Sequence, residues 1–178
     1  MKKSLFKRIS NRLLHLLARY CPGATGIRPW LHRLRGVKIG ENVFIGDDVY
    51  LENEHPQAVE IQSGVQISVR ALILAHTRGS GRIVIEKDAY IGPNTVIATS
   101  GNRILHSGEG AVIGAGVVVT NDVPARVLVV NEMAKPVANV RVPLTKAEKM
   151  VDFVRGLAPI NRRSKAATSK VVRPNPGR

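Results

Sequence analysis

His55, His76 and His106 are the side chains of this 178-residue chain best suited to chemistry near neutral pH. An imidazole with an ordinary pKa of ~6.5 can take a proton from a hydroxyl as that oxygen attacks an electrophile. Each of the three stands at an interruption of an otherwise regular pattern. His55 begins the first interruption, His76 lies at the root of the second, and His106 ends the third. Glu54 is the carboxylate best placed to orient the His76 imidazole, with Glu52 second, and Ser100 is a candidate hydroxyl contact. Residue types alone leave a solvated loop histidine open at each place. No nucleophile–base pair recommends a covalent intermediate, so direct transfer is preferred.

The interrupted pattern is what must position these groups. Aliphatic residues return every six positions from Val37 to Val123: Ile39, Ile45 and Leu51; Ile61, Ile67 and Ile73; Ile85, Ile91 and Ile97; then Ile113 and Val119. Four places after most of them stands a small or β-branched residue, such as Val43, Val65, Ala71, Ala89 or Val117. A period of six fits neither a helix at 3.6 nor a simple strand at 2.0. It fits short strands joined by sharp corners, the hexapeptide signature of a parallel β-helix. Ten residues separate Leu51 from Ile61, twelve separate Ile73 from Ile85, and sixteen separate Ile97 from Ile113, with Ser107 at the intervening aliphatic position. Arg78-Gly79-Ser80-Gly81-Arg82 reads as a loop rather than a core segment. With three faces per turn the repeats make four turns, and all three insertions leave from one corner, where binding faces of solenoids are built.

Three segments resemble the left-handed parallel β-helix acyltransferases, the hexapeptide-repeat family: Ile73-Leu74-Ala75-His76, the run from Ile83 to Gly92, and the run from Ala111 to Pro124. The similarity covers residues 37–140. It implies a left-handed coil, a homotrimer with shared active sites, and His76 as the general base that activates an acceptor hydroxyl. It implies acetyl-CoA or a similar acyl-CoA as donor, met by Asn94, Ala98, Ala115, Gly116 and Thr120, with Lys135 toward the phosphates. His55, Ser100, His106 and Tyr90 become candidates for acceptor binding, the acceptor being a sugar hydroxyl of a glycan or an activated sugar. Tyr90 stands where the family has Trp, Asn121 where Lys is common, and Asn131-Glu132-Met133-Ala134-Lys135 where Gly-Asn-Pro-Ala-Lys is familiar. A γ-class carbonic anhydrase shares the fold and would use three histidines on zinc, but its His-x4-His pair has no counterpart here. No metal is expected for the acyltransferase reading.

The flanks carry the charge. Residues 1–36 hold nine Lys/Arg and no acid, residues 37–140 have a net charge of −3, and residues 141–178 are +8. This organises the chain as a basic helical extension (1–36), a β-helix (37–130), a strand and helix cap (131–158) and a disordered basic tail (159–178). In the extension, Leu5, Ile9, Leu13, Leu16, Leu17 and Tyr20 share one helix face, with Lys7, Arg8, Asn11, Arg12, His15 and Arg19 largely on the other. Two readings stay open: the helix lies on an anionic membrane, or its apolar face packs on the end of the β-helix and blocks edge pairing. A non-enzymatic basic binder of membrane or nucleic acid is the reading without catalysis; under the acyltransferase reading no nucleic acid is expected. Thr145-Lys146-Ala147-Glu148 reads as a capping box opening a helix through Leu157. The lone Cys21 and the absence of any ~20-residue apolar run suit a cytoplasmic protein, peripheral to the inner membrane face if the extension binds lipid.

Overall fold

A computed structural model describes residues 5–77, 79–132 and 136–159, with side chains from Ile9 onward. The chain divides after Asn131 into two compact units. The first is a parallel β-solenoid of about four turns whose strands form three sheets. Sheet one joins β1 (Lys38–Ile39), β4 (Val59–Ile61), β7 (Arg82–Ile85) and β10 (Ile104–Ser107). Sheet two joins β2 (Phe44–Ile45), β5 (Gln66–Ile67), β8 (Tyr90–Ile91), β11 (Val112–Ile113) and β13 (Leu128–Val129). Sheet three joins β3 (Tyr50–Leu51), β6 (Leu72–Leu74), β9 (Val96–Ala98) and β12 (Val118–Val119).

The six-residue aliphatics stack in register. Ile45, Ile67, Ile91, Ile113 and Val129 form one ladder, and Leu51, Ile73, Ile97 and Val119 another. The third ladder runs Ile39, Ile61, Ile85 and then Ser107, whose buried hydroxyl has no partner. Corners between sheets one and two place Asn42, Gly64, Asp88, Gly110 and Arg126 at positive φ. Corners between sheets two and three do the same with Asp48, Arg70, Asn94 and Gly116. A left-handed residue, mostly Asn, Asp or Gly, makes these two corners tight. All three insertions leave from the remaining corner, between sheets three and one.

Helix α1 (Leu5–Tyr20) and helix α2 (Ile27–Arg35) cap the first coil, with Gly36 ending α2 in a left-handed turn that donates to His32 and Arg33 carbonyls. The apolar-face-inward packing of α1 is not what occurs. Asn11, His15 and Arg19 face the coil, while Ile9, Leu13, Leu16, Leu17 and Tyr20 are exposed. The physical reason is that the open end of a solenoid presents unpaired backbone rather than oil. The Asp48 and Ile45 N–H groups donate to the Arg19 and Ala24 carbonyls at 3.0 and 2.9 Å. Buried Arg28 donates to the Ile45 carbonyl (3.0 Å) and pairs with Asp47, and Asn11 reaches the Asn53 carbonyl at 2.7 Å.

His15 and His32 are sealed beneath this cap, with both ring nitrogens of His15 and Nε2 of His32 unpartnered. Burial, then the positive charge of Arg35, pushes each imidazole down to about 3. The unfolded chain therefore binds more protons between about 3 and the ordinary 6.5, and stability falls as pH drops below 6.5. Each buried ring is expected to contribute a loss of about 1.4 kcal/mol per pH unit. Urea unfolding at stepped pH should show this slope halved in His15→Leu; an unchanged slope refutes it.

In the second unit, β14 (Ala138–Val140) pairs antiparallel with β15 (Leu157–Pro159). The capping box expected at Thr145 does not form. Leu144–Lys146 is a 3-10 turn, and the helix, α3, runs only from Met150 to Arg155 with no side-chain cap. Lys135 and the basic tail from Ile160 onward lie outside the described residues.

Candidate functional site

Leu51 ends its strand inside the coil, and the next residue, Glu52, turns in at the corner and is fully buried. Its carboxylate is saturated with donors. Oε1 accepts the N–H of Glu54 (2.8 Å) and of His55 (3.2 Å); Oε2 accepts the N–H of Ala75 (3.1 Å) and contacts His76 Nδ1 at 2.5 Å. Burial raises the Glu52 pKa, but the hydrogen bonds from His76 and from the His55 and Ala75 amides outweigh it and hold the group below the ordinary carboxylate value. A carboxylate so held accepts only, so it fixes the proton of His76 on Nδ1. Nε2 is then the basic lone pair of a side chain that is one-third exposed.

The surroundings keep this pair in place. On the far side, buried Arg35 donates to the Glu52 carbonyl at 2.9 Å and to His32 Nδ1 at 2.9 Å. Beyond His76, the Thr77 hydroxyl donates to the Thr99 carbonyl at 2.6 Å, pinning the loop to the next coil. A Cβ on Gly81 would lie 2.5 Å from the Ala75 carbonyl, so only glycine lets the chain return this close to the histidine.

The carboxylate beside His76 belongs to Glu52; Glu54 pairs instead with Arg12 at 3.7 Å. His55 meets His76 edge-on, ring centroids 5.0 Å apart. His106 stands apart, outward on β10, with Nδ1 3.0 Å from Glu86 Oε1 and its N–H on Asp122. Among the described residues no three His, Cys, Asp or Glu side chains are grouped to hold a metal within one chain. Ser100 is exposed on the third loop, where the neighbouring Thr99 makes the contact to Thr77. Tyr90 faces out from sheet two, across the coil from the His76 corner, and takes a 3.0 Å hydrogen bond from Ser68. Sequence reasoning passed over Arg35 and Asn11, whose contacts to residues 52 and 53 are long-range and follow no repeat.

The chain matches no protein-family profile. A Bacillus subtilis protein named "Putative acetyltransferase YvoF" is 32% identical over 125 residues, covering 66% of this chain and 69% of its relative. With the stacked six-residue ladders, this decides the family. The chain belongs to the hexapeptide-repeat acetyltransferases. A Schizosaccharomyces pombe protein, also named "Putative acetyltransferase", is 35% identical over 106 residues, which is 58% of this chain and 44% of that one. The crystal structure of a hexapeptide-repeat containing acetyltransferase from Vibrio cholerae matches with a TM-score of 0.56 over 69% of this chain and 84% of its own, at 22% identity, and so shares the fold. As a hexapeptide-repeat acetyltransferase the chain is an acyltransferase.

In this acetyltransferase the positions suggested for the acyl donor flank sheet three. Asn94, Ala115 and Gly116 lie on the corner between sheets two and three, where the Gly116 N–H donates to the Pro93 carbonyl at 2.8 Å. Ala98 and Thr120 follow the interior residues Ile97 and Val119 at the opposite edge, the edge that carries His76. No helix among the described residues is long and apolar enough to cross a membrane.

Proposed function

We propose that this acyltransferase moves an acetyl group from acetyl-CoA to a sugar hydroxyl of a glycan or activated sugar, by direct transfer with His76 as general base. The observation that carries the reading is the buried Glu52 carboxylate on His76 Nδ1, which leaves Nε2 basic and accessible. In the reaction Nε2 takes the hydroxyl proton while the acceptor oxygen attacks the thioester carbonyl carbon. The carbon–sulfur bond then breaks, and the proton passes from the imidazolium to the departing CoA thiolate. Glu52 holds the imidazole's orientation and stabilises its cationic form, making it a positioning residue, where Glu54 was the first candidate from sequence. His55 borders the acceptor side. The small side chains at Asn94, Ala98, Ala115, Gly116 and Thr120 leave room for the donor's pantetheine arm along sheet three. The functional form is a homotrimer in which a second copy completes each site.

The test is acceptor-dependent release of CoA thiol from acetyl-CoA across a panel of free sugars, nucleotide sugars and oligosaccharides, with mass spectrometry of the products. Acetylated hydroxyls are expected. Transfer only to amines, or no acceptor-dependent release across the panel, overturns the proposal; a monomer on sedimentation overturns the shared site.

A further inference from the structure

The end cap turns its apolar side outward. On α1, Ile9, Leu13, Leu16, Leu17 and Tyr20 are each about half exposed or more, at the spacing of a single helical stripe. On α2, Ile27, Trp30 and Leu34 form a second stripe, each about half exposed. Isolated exposed apolar residues are ordinary, but two such stripes on neighbouring helices mark an interaction surface. The polar side of both helices is already occupied by the first coil, so the apolar side is the one left to meet something else.

We infer that this face docks on an anionic lipid bilayer. Charge selects the occupant. The first 36 residues of the sequence, within which both helices lie, contain nine Lys/Arg and no acid. Arg12, Arg19 and Arg28 are matched by Glu54, Asp48 and Asp47, and the sequence adds Lys2, Lys3, Lys7 and Arg8 at the start of the same segment. A second copy seated on this face would set one strongly basic segment against another. A surface of acidic headgroups over acyl chains satisfies both the charge and the apolar stripes. Tyr20 and Trp30, exposed rings with one polar edge, suit the level between headgroup and chain.

Docking has a geometric consequence for the site. Arg35 and Asn11, on the inner side of the same two helices, hold the backbone of Glu52 and Asn53. The loop that positions His76 therefore sits about one helix diameter, ~10–12 Å, from the lipid. The docking itself does not depend on the proposed chemistry and is tested without substrate.

Trp30 is the only tryptophan of the chain, so the native protein carries its own reporter. Full-length protein is mixed with vesicles of phosphatidylcholine alone or of phosphatidylcholine with phosphatidylglycerol, then followed by flotation and by Trp fluorescence. Flotation is expected with the mixed vesicles only and should weaken with salt. Trp30 emission should shift to the blue and be quenched by lipids brominated on the acyl chain. The variant Leu13→Ser, Leu17→Ser, Trp30→Ser keeps every charge and changes only exposed positions; its partitioning should fall at least about tenfold. Binding by basic flanks alone would leave that variant at wild-type affinity, with no Trp30 quenching in the parent, and overturns the inference. So does concentration-dependent self-association without flotation. Should the variant misfold by circular dichroism, quenching of wild-type Trp30 decides the matter by itself.

Discussion

Replacing His76 by alanine should slow turnover by ~10²–10⁴-fold, the usual contribution of a positioned general base. Acetyl-CoA affinity should persist, because in the proposed mechanism the imidazole acts on the acceptor proton and not on the donor. Fold should persist as well, since the side chain is one-third exposed and its main protein contact is to Glu52. Changes at His55 and His106 should be milder, with His55, in ring contact with His76, the larger of the two and expressed in acceptor KM. Steady-state kinetics with direct donor binding for the three variants checks this, and near-normal turnover in His76→Ala would sink the proposed mechanism.

Glu52 should be the second sensitive position, for two separable reasons. Glu52→Ala strands the N–H groups of Glu54, His55 and Ala75, three donors that now share one carboxylate. An unsatisfied buried donor costs about 1–3 kcal/mol, so substantial destabilisation is expected in denaturant titration. Glu52→Gln keeps the volume but offers an amide –NH2 where Oε2 now accepts from both Ala75 N–H and His76. It no longer enforces the proton on Nδ1, and a loss of ~10²–10⁴-fold in kcat is expected, as when a wrong tautomer is imposed on a histidine–carboxylate pair. The acid limb follows from the depressed pKa. Stabilisation by Glu52 is complete above its ordinary value of 4.5 and is lost as pH falls through the lower folded value. Equal kcat in Glu52→Gln and wild type would show that the carboxylate supports the loop and not the imidazole.

The solenoid was legible in the sequence because its core is periodic. Each ladder residue, from Ile39 through Val119, is fixed by a spacing that any reader can count, and the three insertions map to one corner as that count requires. The site was legible only as far as the count holds. A step of 22 residues pairs Leu51 with Ile73, and continuing it past the strand ends sets Glu54 opposite His76. At the corner the chain leaves the strand lattice, and Glu52 folds inward to receive amides from both sides, so the nearer carboxylate in space is not the one in register. Ser100 and Thr99 repeat the lesson one coil later. A place at a loop end groups His106 with the other histidines in sequence, but strand alternation between buried Leu105 and Ser107 turns it outward toward Glu86. The inverted α1 was illegible for a different reason. Amphipathicity shows which face is apolar, and does not show that the receiving surface is a row of backbone hydrogen-bonding groups.

Two tight corners and one open corner give this scaffold an uneven capacity for change. Successive ladder residues are 22, 24 and 22 positions apart from Ile39 to Ser107, the differences arising at the single corner that carries the loops. In loop-closure terms, going from ten to twelve residues at that corner costs only about 0.2 kcal/mol. The same insertion at either of the other corners would displace a residue held at positive φ and break the stack on both sides. Length variation in this architecture is therefore nearly free where His55 and His76 stand and costly at the two tight corners, so a lineage can resize that rim while the prism beneath keeps its register.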